Sequence, residues 1–203
     1  MNIQVPQLIK WCFKSVLWRE NSKGKSIYLT FDDGPIPEVT PKVLNILDDF
    51  GVKATFFCVG DNVRKNPETY NEVIRRGHSV GNHTFNHIKG FSFSTNEYIE
   101  NIKKASEYIE SKLFRPPHGQ ITPMQIKHIK KNYKIVMWDF ITYDYDKTLS
   151  AEKIMEIIRK KSRNGSIVVF HDSLKSGKNV LEALPQALQF WKDEGYYLET
   201  IQL

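Results

Sequence analysis

Two adjacent carboxylates, Asp32 and Asp33, stand in the hexapeptide Thr30-Phe31-Asp32-Asp33-Gly34-Pro35. Like charges repel, so such a pair at the end of an apolar segment needs partners; Gly34 permits a close backbone turn and Pro35 ends the strand. A polar turn closed by an Asx-type hydrogen bond would use the same residues. Further along, His83-Thr84-Phe85-Asn86-His87 places two imidazoles at i and i+4. If helical, that segment turns both onto one face, within reach of one metal ion. A carboxylate from the first strand end would complete a His-His-Asp set, the three-ligand, open-position pattern of a catalytic zinc or similar divalent ion. Histidines also cap helices and fill polar pockets, so the pair alone leaves that alternative open. His171-Asp172 follows an apolar run, where a histidine suits acid–base work or is a satisfied, partly buried side chain. Arg115-Pro116-Pro117-His118-Gly119 is stiffened by two prolines. That suits a main-chain amide aimed at a reacting oxygen, or an ordinary proline-rich loop. Trp138-Asp139 and Asp144-Tyr145 sit at and beyond another strand end, where Asp144 could orient a histidine or cap a turn.

Positioning these groups takes alternating strands and helices. The spacing predicts strands over 26–30, 54–59, 78–81, 135–138, 167–170 and 197–201. Helices are expected from Thr40-Pro41 to about Gly51, over 61–76, and from a Ser94/Glu97 capping box to about Leu113. Others start at Thr122-Pro123, run from Ser150 to about Arg163, and span 180–194. Short apolar strands alternating with helices mean an α/β fold with a parallel sheet. About seven such units in a single domain suggest a small or incomplete barrel, with the site at the C-terminal strand ends. His78 reads as structural and His128 as surface.

At 203 residues with 40% hydrophobic content the chain can bury a sizeable core. The net charge of +6 is spread over lysines on helix faces, and no zinc-finger spacing or nucleic-acid motif is present. Cys12 and Cys58 suggest neither a disulfide framework nor a metal site, and Cys58 reads as a buried thiol. Residues 1–25 are expected to form an N-terminal segment packed on the barrel of residues 26–203. Ile9, Phe13, Val16 and Leu17 would form one stripe of a short helix, with peripheral contact to a membrane surface as an alternative. Lys10 and Lys14 interrupt the apolar residues there, so no signal-peptide core is seen, which points to the cytoplasm.

Taken together, TFDDGP at 30–35, HTFNH at 83–87, RPPHG at 115–119, WDFITYDY at 138–145 and VVFHD at 168–172 closely resemble the polysaccharide deacetylase family. This is carbohydrate esterase family 4, the NodB-homology domain. The resemblance implies a distorted (β/α)7 barrel with one divalent metal ion, usually zinc, with cobalt and others able to serve. It implies removal of N-acetyl groups from an N-acetylated carbohydrate, releasing acetate. Asp32 would be the general base, Asp33, His83 and His87 the metal ligands, Arg115 the partner of Asp32, His171 the general acid and Asp144 its tuner. The His118 amide would meet the oxyanion. Three departures stand out: His118 for the usual tyrosine, Tyr145 for tryptophan, and Val169 for leucine at the acetyl-methyl pocket. An O-deacetylase or other amidohydrolase on the same site, and a carbohydrate-binding scaffold without activity, are the competing readings. Nucleic-acid binding is not expected.

Overall fold

The computed structural model describes residue 13, residues 15–22 and residues 24–203. The strands are β1 (Ser26–Asp32), β2 (Thr55–Cys58), β3 (Ser79–Asn82), β4 (Leu113–Phe114), β5 (Lys134–Ile135), β6 (Phe140–Ile141), β7 (Ser166–His171) and β8 (Tyr197–Glu199). Seven of them form one parallel sheet in the order β5-β4-β3-β2-β1-β7-β6, and β8 adds to the start of β1. Between them lie helices α1 (Thr40–Asp49), α2 (Gly60–Lys65), α3 (Pro67–Arg75), α4 (Thr95–Ser106), α5 (Pro123–Ile129), α6 (Ala151–Lys161) and α7 (Gly177–Asp193). The sheet curls into a distorted (β/α)7 barrel. No helix among the described residues is long and apolar enough to cross a membrane.

Strand alternation sorts the side chains into two layers. Tyr28, Phe57, Leu113, Val136, Ile167 and Ile201 cluster inside the barrel. Ile27, Leu29, Phe31, Phe56, Val168 and Phe170 face outward, against the buried sides of α1, α6 and α7. Phe31 is fully buried and stacks on Phe56 at 4.9 Å and Phe170 at 6.0 Å. Truncating it empties the contact between three adjacent strands. Phe31→Ala should cost about 3–5 kcal/mol, read as a lowered urea midpoint at unchanged slope.

The barrel is open between β5 and β6, and residues 16–19 meet that seam. Leu17 N–H donates to the Ile135 carbonyl at 2.8 Å, and its own carbonyl accepts from Met137 N–H at 2.7 Å. Arg19 bridges antiparallel to Ser166, and Val16 is buried against Ile126, Ile129 and Ile135. Among the described residues of the short helix expected here, Val16 and Leu17 are in bend and bridge, and residues 15–19 as a whole are turn, bend and bridge. Ile9 and Cys12 lie outside the described residues.

Local differences from the sequence expectation have plain causes. The helix expected over 61–76 is broken into α2 and α3, because Pro67 has no N–H to donate and starts a new helix after Asn66. The helix capped by Ser94 stops at Ser106, short of Leu113, because Leu113 and Phe114 are drawn into the sheet as β4. The strand expected over 135–138 is only Lys134–Ile135. Thr40 is the first residue of its helix and not the cap; its hydroxyl accepts from Ile36 N–H at 2.8 Å.

Candidate active site

The site sits at the C-terminal ends of β1, β3, β4 and β7. Asp32 is the last residue of β1 and shares the inward face with Tyr28 and Thr30. Asp33 follows in a left-handed conformation, φ 83°. A carboxylate residue in that region is strained and persists only when its surroundings hold it. Here they do: the Asp33 carbonyl accepts from Asn62 Nδ2 at 2.7 Å, Gly34 N–H donates to Asp172 Oδ1 at 3.0 Å, and the Gly34 carbonyl accepts from Val59 N–H at 2.9 Å. Gly34 is required, since a Cβ there would lie 2.0 Å from Asp172 Oδ2.

Asp33 Oδ1 lies 3.1 Å from His87 Nε2 and 3.7 Å from His83 Nε2. The three ligand atoms are all within 4.8 Å of one another. Donors on a tetrahedral zinc, with bonds of about 2.0–2.1 Å, stand about 3.3 Å apart, so the set fits such an ion. One nitrogen-rich half and one carboxylate suit zinc or a neighbouring divalent ion. The residues converge without a helix. Segment 83–87 is a loop, with Thr84 (φ 64°) and His87 (φ 54°) both left-handed, and the imidazole centroids are 5.1 Å apart. Asn82 Oδ1 accepts from Thr84 N–H, and Asn101 Oδ1 accepts from the N–H groups of Phe85 and Asn86. The amides of Thr84, Phe85 and Asn86 are thus bonded by side chains, which holds the loop without a helix. His83 Nδ1 donates to the Arg115 carbonyl at 2.8 Å, which fixes the tautomer and leaves the Nε2 lone pair facing the cluster. Burial pushes His83 down to about 4 against the opposing pull of Asp32, so the ring is neutral and ready to ligate. Burial raises the Asp33 carboxyl, but the His87 hydrogen bond and the charge of His171 outweigh it and hold Asp33 well below the carboxylate range.

Arg115, just past β4, is fully buried inside the barrel. Its Nη1 donates to Asp32 Oδ1 at 2.6 Å and to Thr30 Oγ1 at 2.7 Å. Nε and Nη2 donate to the carbonyls of Val136 and Met137, and the guanidinium lies over the Phe57 ring at 4.1 Å. A buried cation needs this many partners. They turn Arg115 into a rigid prop that holds one oxygen of Asp32, while the other faces His83 Nε2 at 4.0 Å.

His171 ends β7 beside Asp32, its register partner on β1. Its Nδ1 donates to Asp144 Oδ1 at 2.8 Å, and its backbone N–H donates to Asp144 Oδ2 at 2.7 Å. Asp144 is itself fully buried, receiving a hydrogen bond from Thr142 Oγ1 at 3.1 Å. Burial works against the imidazolium, but the charge and hydrogen bond of Asp144, helped by Asp33 and Asp32, push His171 up to about 9. Tyr145 stands edge-on to the imidazole at 5.0 Å. Val169 is buried one inward layer beneath His171. His118 is exposed, left-handed at φ 57°, with its ring 4.8 Å from that of His87. An adjoining groove of about 340 Å³ is lined by Asp33, Asn62, Asn86, His87 and Ser173.

The structure therefore brings together Asp32, Asp33, His83, His87, Arg115, Asp144, His171, His118, Tyr145 and Val169. It separates Asp139, which lies at the other end of β6, where Arg163 Nε donates to it at 2.7 Å and Ser166 Oγ at 3.0 Å. His78 accepts from Ala54 N–H within the fold, His128 is exposed, and Cys58 is a buried free thiol. Sequence reasoning gave no part in the site to Asp172 or Asn62, to Thr40 beyond starting its helix, or to Asn179, whose Nδ2 donates to the Asp144 carbonyl at 3.0 Å. Asp172 is buried, its carboxyl pushed up by burial to about 7 against the pull of the Thr40 hydroxyl.

A family profile described as polysaccharide deacetylase matches residues 19–137. A peptidoglycan-N-acetylglucosamine deacetylase of Bacillus cereus is 35% identical over 194 residues, covering 92% of this chain and 91% of its own. A crystal structure of a peptidoglycan N-acetylglucosamine deacetylase, bound to a naphthyl-substituted N-hydroxybenzamide, superposes with a TM-score of 0.90 at 31% identity, covering 97% of this chain and 95% of that one. A mutant of a carbohydrate esterase family 4 pseudoenzyme with restored enzymatic activity superposes with a TM-score of 0.82 at 26% identity, over 91% of this chain and 68% of that one.

Proposed function

This chain belongs to the polysaccharide deacetylase family, hydrolases of carbon–nitrogen bonds other than peptide bonds, and we propose that it removes N-acetyl groups from N-acetylglucosamine residues of peptidoglycan in a metal-dependent reaction. The observation that carries this reading is the arrangement of Asp33, His83 and His87 beside the Arg115–Asp32 and Asp144–His171 pairs. Support for the substrate is the near full-length likeness to the Bacillus cereus deacetylase.

Asp33, His83 and His87 would hold the cation. When bound, it lowers the pKa of water at the site and polarises the acetamide carbonyl. Asp32, kept in place by Arg115, accepts the proton of the attacking water. The backbone N–H of His118 is assigned to the oxyanion that develops as water adds to the carbonyl carbon. His171 carries its spare proton on Nε2, because Nδ1–H is committed to Asp144, and donates it to the departing amine nitrogen. The carbon–nitrogen bond breaks, leaving acetate and a free amino sugar. Acid and base are thus two residues with opposite charge environments.

The test is acetate release from peptidoglycan fragments and N-acetylglucosamine oligomers by chelator-stripped protein, with and without zinc or cobalt. Release that requires metal and is lost in His83→Ala is the expected result. Stripped protein that rebinds zinc but releases acetate only from O-acetylated sugars, or from none, would replace this reading with an O-deacetylase or a binding protein.

A further inference from the structure

We infer that Asp172 is a positioning residue that clamps the left-handed Asp33 in its ligating geometry and couples it to the strand end that carries His171. This rests on the reading of Asp33, His83 and His87 as the metal set. Asp172 uses three groups on one turn of chain. Its Oδ1 accepts from Gly34 N–H at 3.0 Å, its Oδ2 accepts from the Thr40 hydroxyl at 2.6 Å, and its own N–H donates to the Asp32 carbonyl at 3.1 Å. The Gly34 N–H belongs to the peptide that follows Asp33, so this bond fixes the rotation that aims the Asp33 side chain. The Asp32 carbonyl belongs to the peptide that precedes Asp33. Asp172 therefore holds Asp33 from both of its peptide planes. The Thr40 hydroxyl, which also accepts from Ile36 N–H, ties the far end of the same turn to α1.

The fit is close. Asp172 is 1% exposed, and its carboxylate occupies the space where any side chain at position 34 would begin. The next residues continue the brace: Ser176 Oγ donates to the His171 carbonyl and accepts from Ser173 N–H. Removing the carboxylate leaves a buried Gly34 N–H without its acceptor and releases a backbone conformation that is unfavourable for an aspartate. The expected consequence is a ligand carboxylate that samples other directions, hence weaker metal binding. Groups outside the ligand set that orient a ligand typically contribute about 10–100-fold in metal affinity.

The experiment is zinc affinity of the full chain, measured by competition with a chromophoric chelator, in wild type, Asp172→Ala, Asp172→Asn, Thr40→Val and Ile158→Ala. Asp172→Ala should bind zinc about 10–100-fold more weakly, and Thr40→Val in the same direction. Asparagine keeps an acceptor for Gly34 N–H, so Asp172→Asn should recover most of the affinity. Ile158→Ala removes buried packing on α6, away from the turn, and should lower stability with zinc affinity unchanged. If Asp172→Ala fails to fold, Thr40→Val carries the test. Unchanged affinity in the folded Asp172 and Thr40 variants would overturn the assignment, as would an equal loss in Ile158→Ala. Wild-type protein that does not bind zinc would overturn the metal reading itself and this inference with it.

Discussion

Asp32→Asn should lower the rate of acetate release by about 10²–10⁴-fold, the range that loss of a positioned general base costs. Asparagine matches the shape of aspartate but cannot take the water's proton. Its amide can still present an oxygen to Arg115 Nη1, now at 2.6 Å from Asp32 Oδ1. The substitution also leaves a buried guanidinium facing a neutral partner, a change that costs about 3–5 kcal/mol when one member of a buried pair is lost outright. Arg115 keeps Thr30 Oγ1 and the carbonyls of Val136 and Met137, so the loss here should fall below that range. Activity must therefore be read where urea melts show the variant folded. Zinc binding should persist, since Asp33, His83 and His87 are untouched. A folded, zinc-loaded Asp32→Asn protein with more than about a tenth of wild-type kcat would remove Asp32 from the role of base.

How much of this site was legible in the sequence depends on how each group is held. Asp32 and His171 were readable because each closes a strand that an apolar run marks, whereas Arg115 was found only through the RPPHG resemblance, since the two-residue strand before it, Leu113–Phe114, carries no period and read as the end of a helix. The metal pair was found for an incomplete reason. Spacing of i and i+4 suggests a helix, whereas His83 and His87 meet through two left-handed residues whose amides are bonded by Asn82 and Asn101. Asp144 was set apart from Asp139 by the resemblance and not by any pattern, because the strand between them, Phe140–Ile141, is two residues long and has no period to detect. The sheet gives the physical reason: one aspartate points to Arg163 at the bottom and the other to His171 at the top. The Asp172 brace was invisible for a further reason: its partners are the Gly34 amide, the Asp32 carbonyl and a threonine 132 positions away, which no local pattern records.

The second large effect concerns pH. His171 has its pKa pushed up to about 9 in the folded protein, against about 6.5 for a free imidazole, because Asp144 outweighs the cost of burial. A raised folded value means that the proton is bound more tightly in the native state. The resulting stabilisation is fully present below pH about 6.5 and is lost as pH rises through about 9. Its size is about 3 kcal/mol for the metal-free protein, at 1.36 kcal/mol per unit. Bound cation offsets the share contributed by Asp33 and Asp32, so the holoprotein should show a smaller slope. Asp144→Asn removes the anion while preserving an acceptor for Nδ1–H. The alkaline limb of kcat/KM should then move down by about 1–3 units, the range for loss of an adjacent opposite charge. Thermal melts of the metal-free variant should lose their dependence on pH between about 6.5 and 9. The two readouts separate the roles of Asp144. If it only packs the β6–β7 loops, Asp144→Asn lowers the melting temperature equally at every pH and leaves the limb in place. If it holds the proton on His171, the limb moves and the pH dependence of the melt disappears with it.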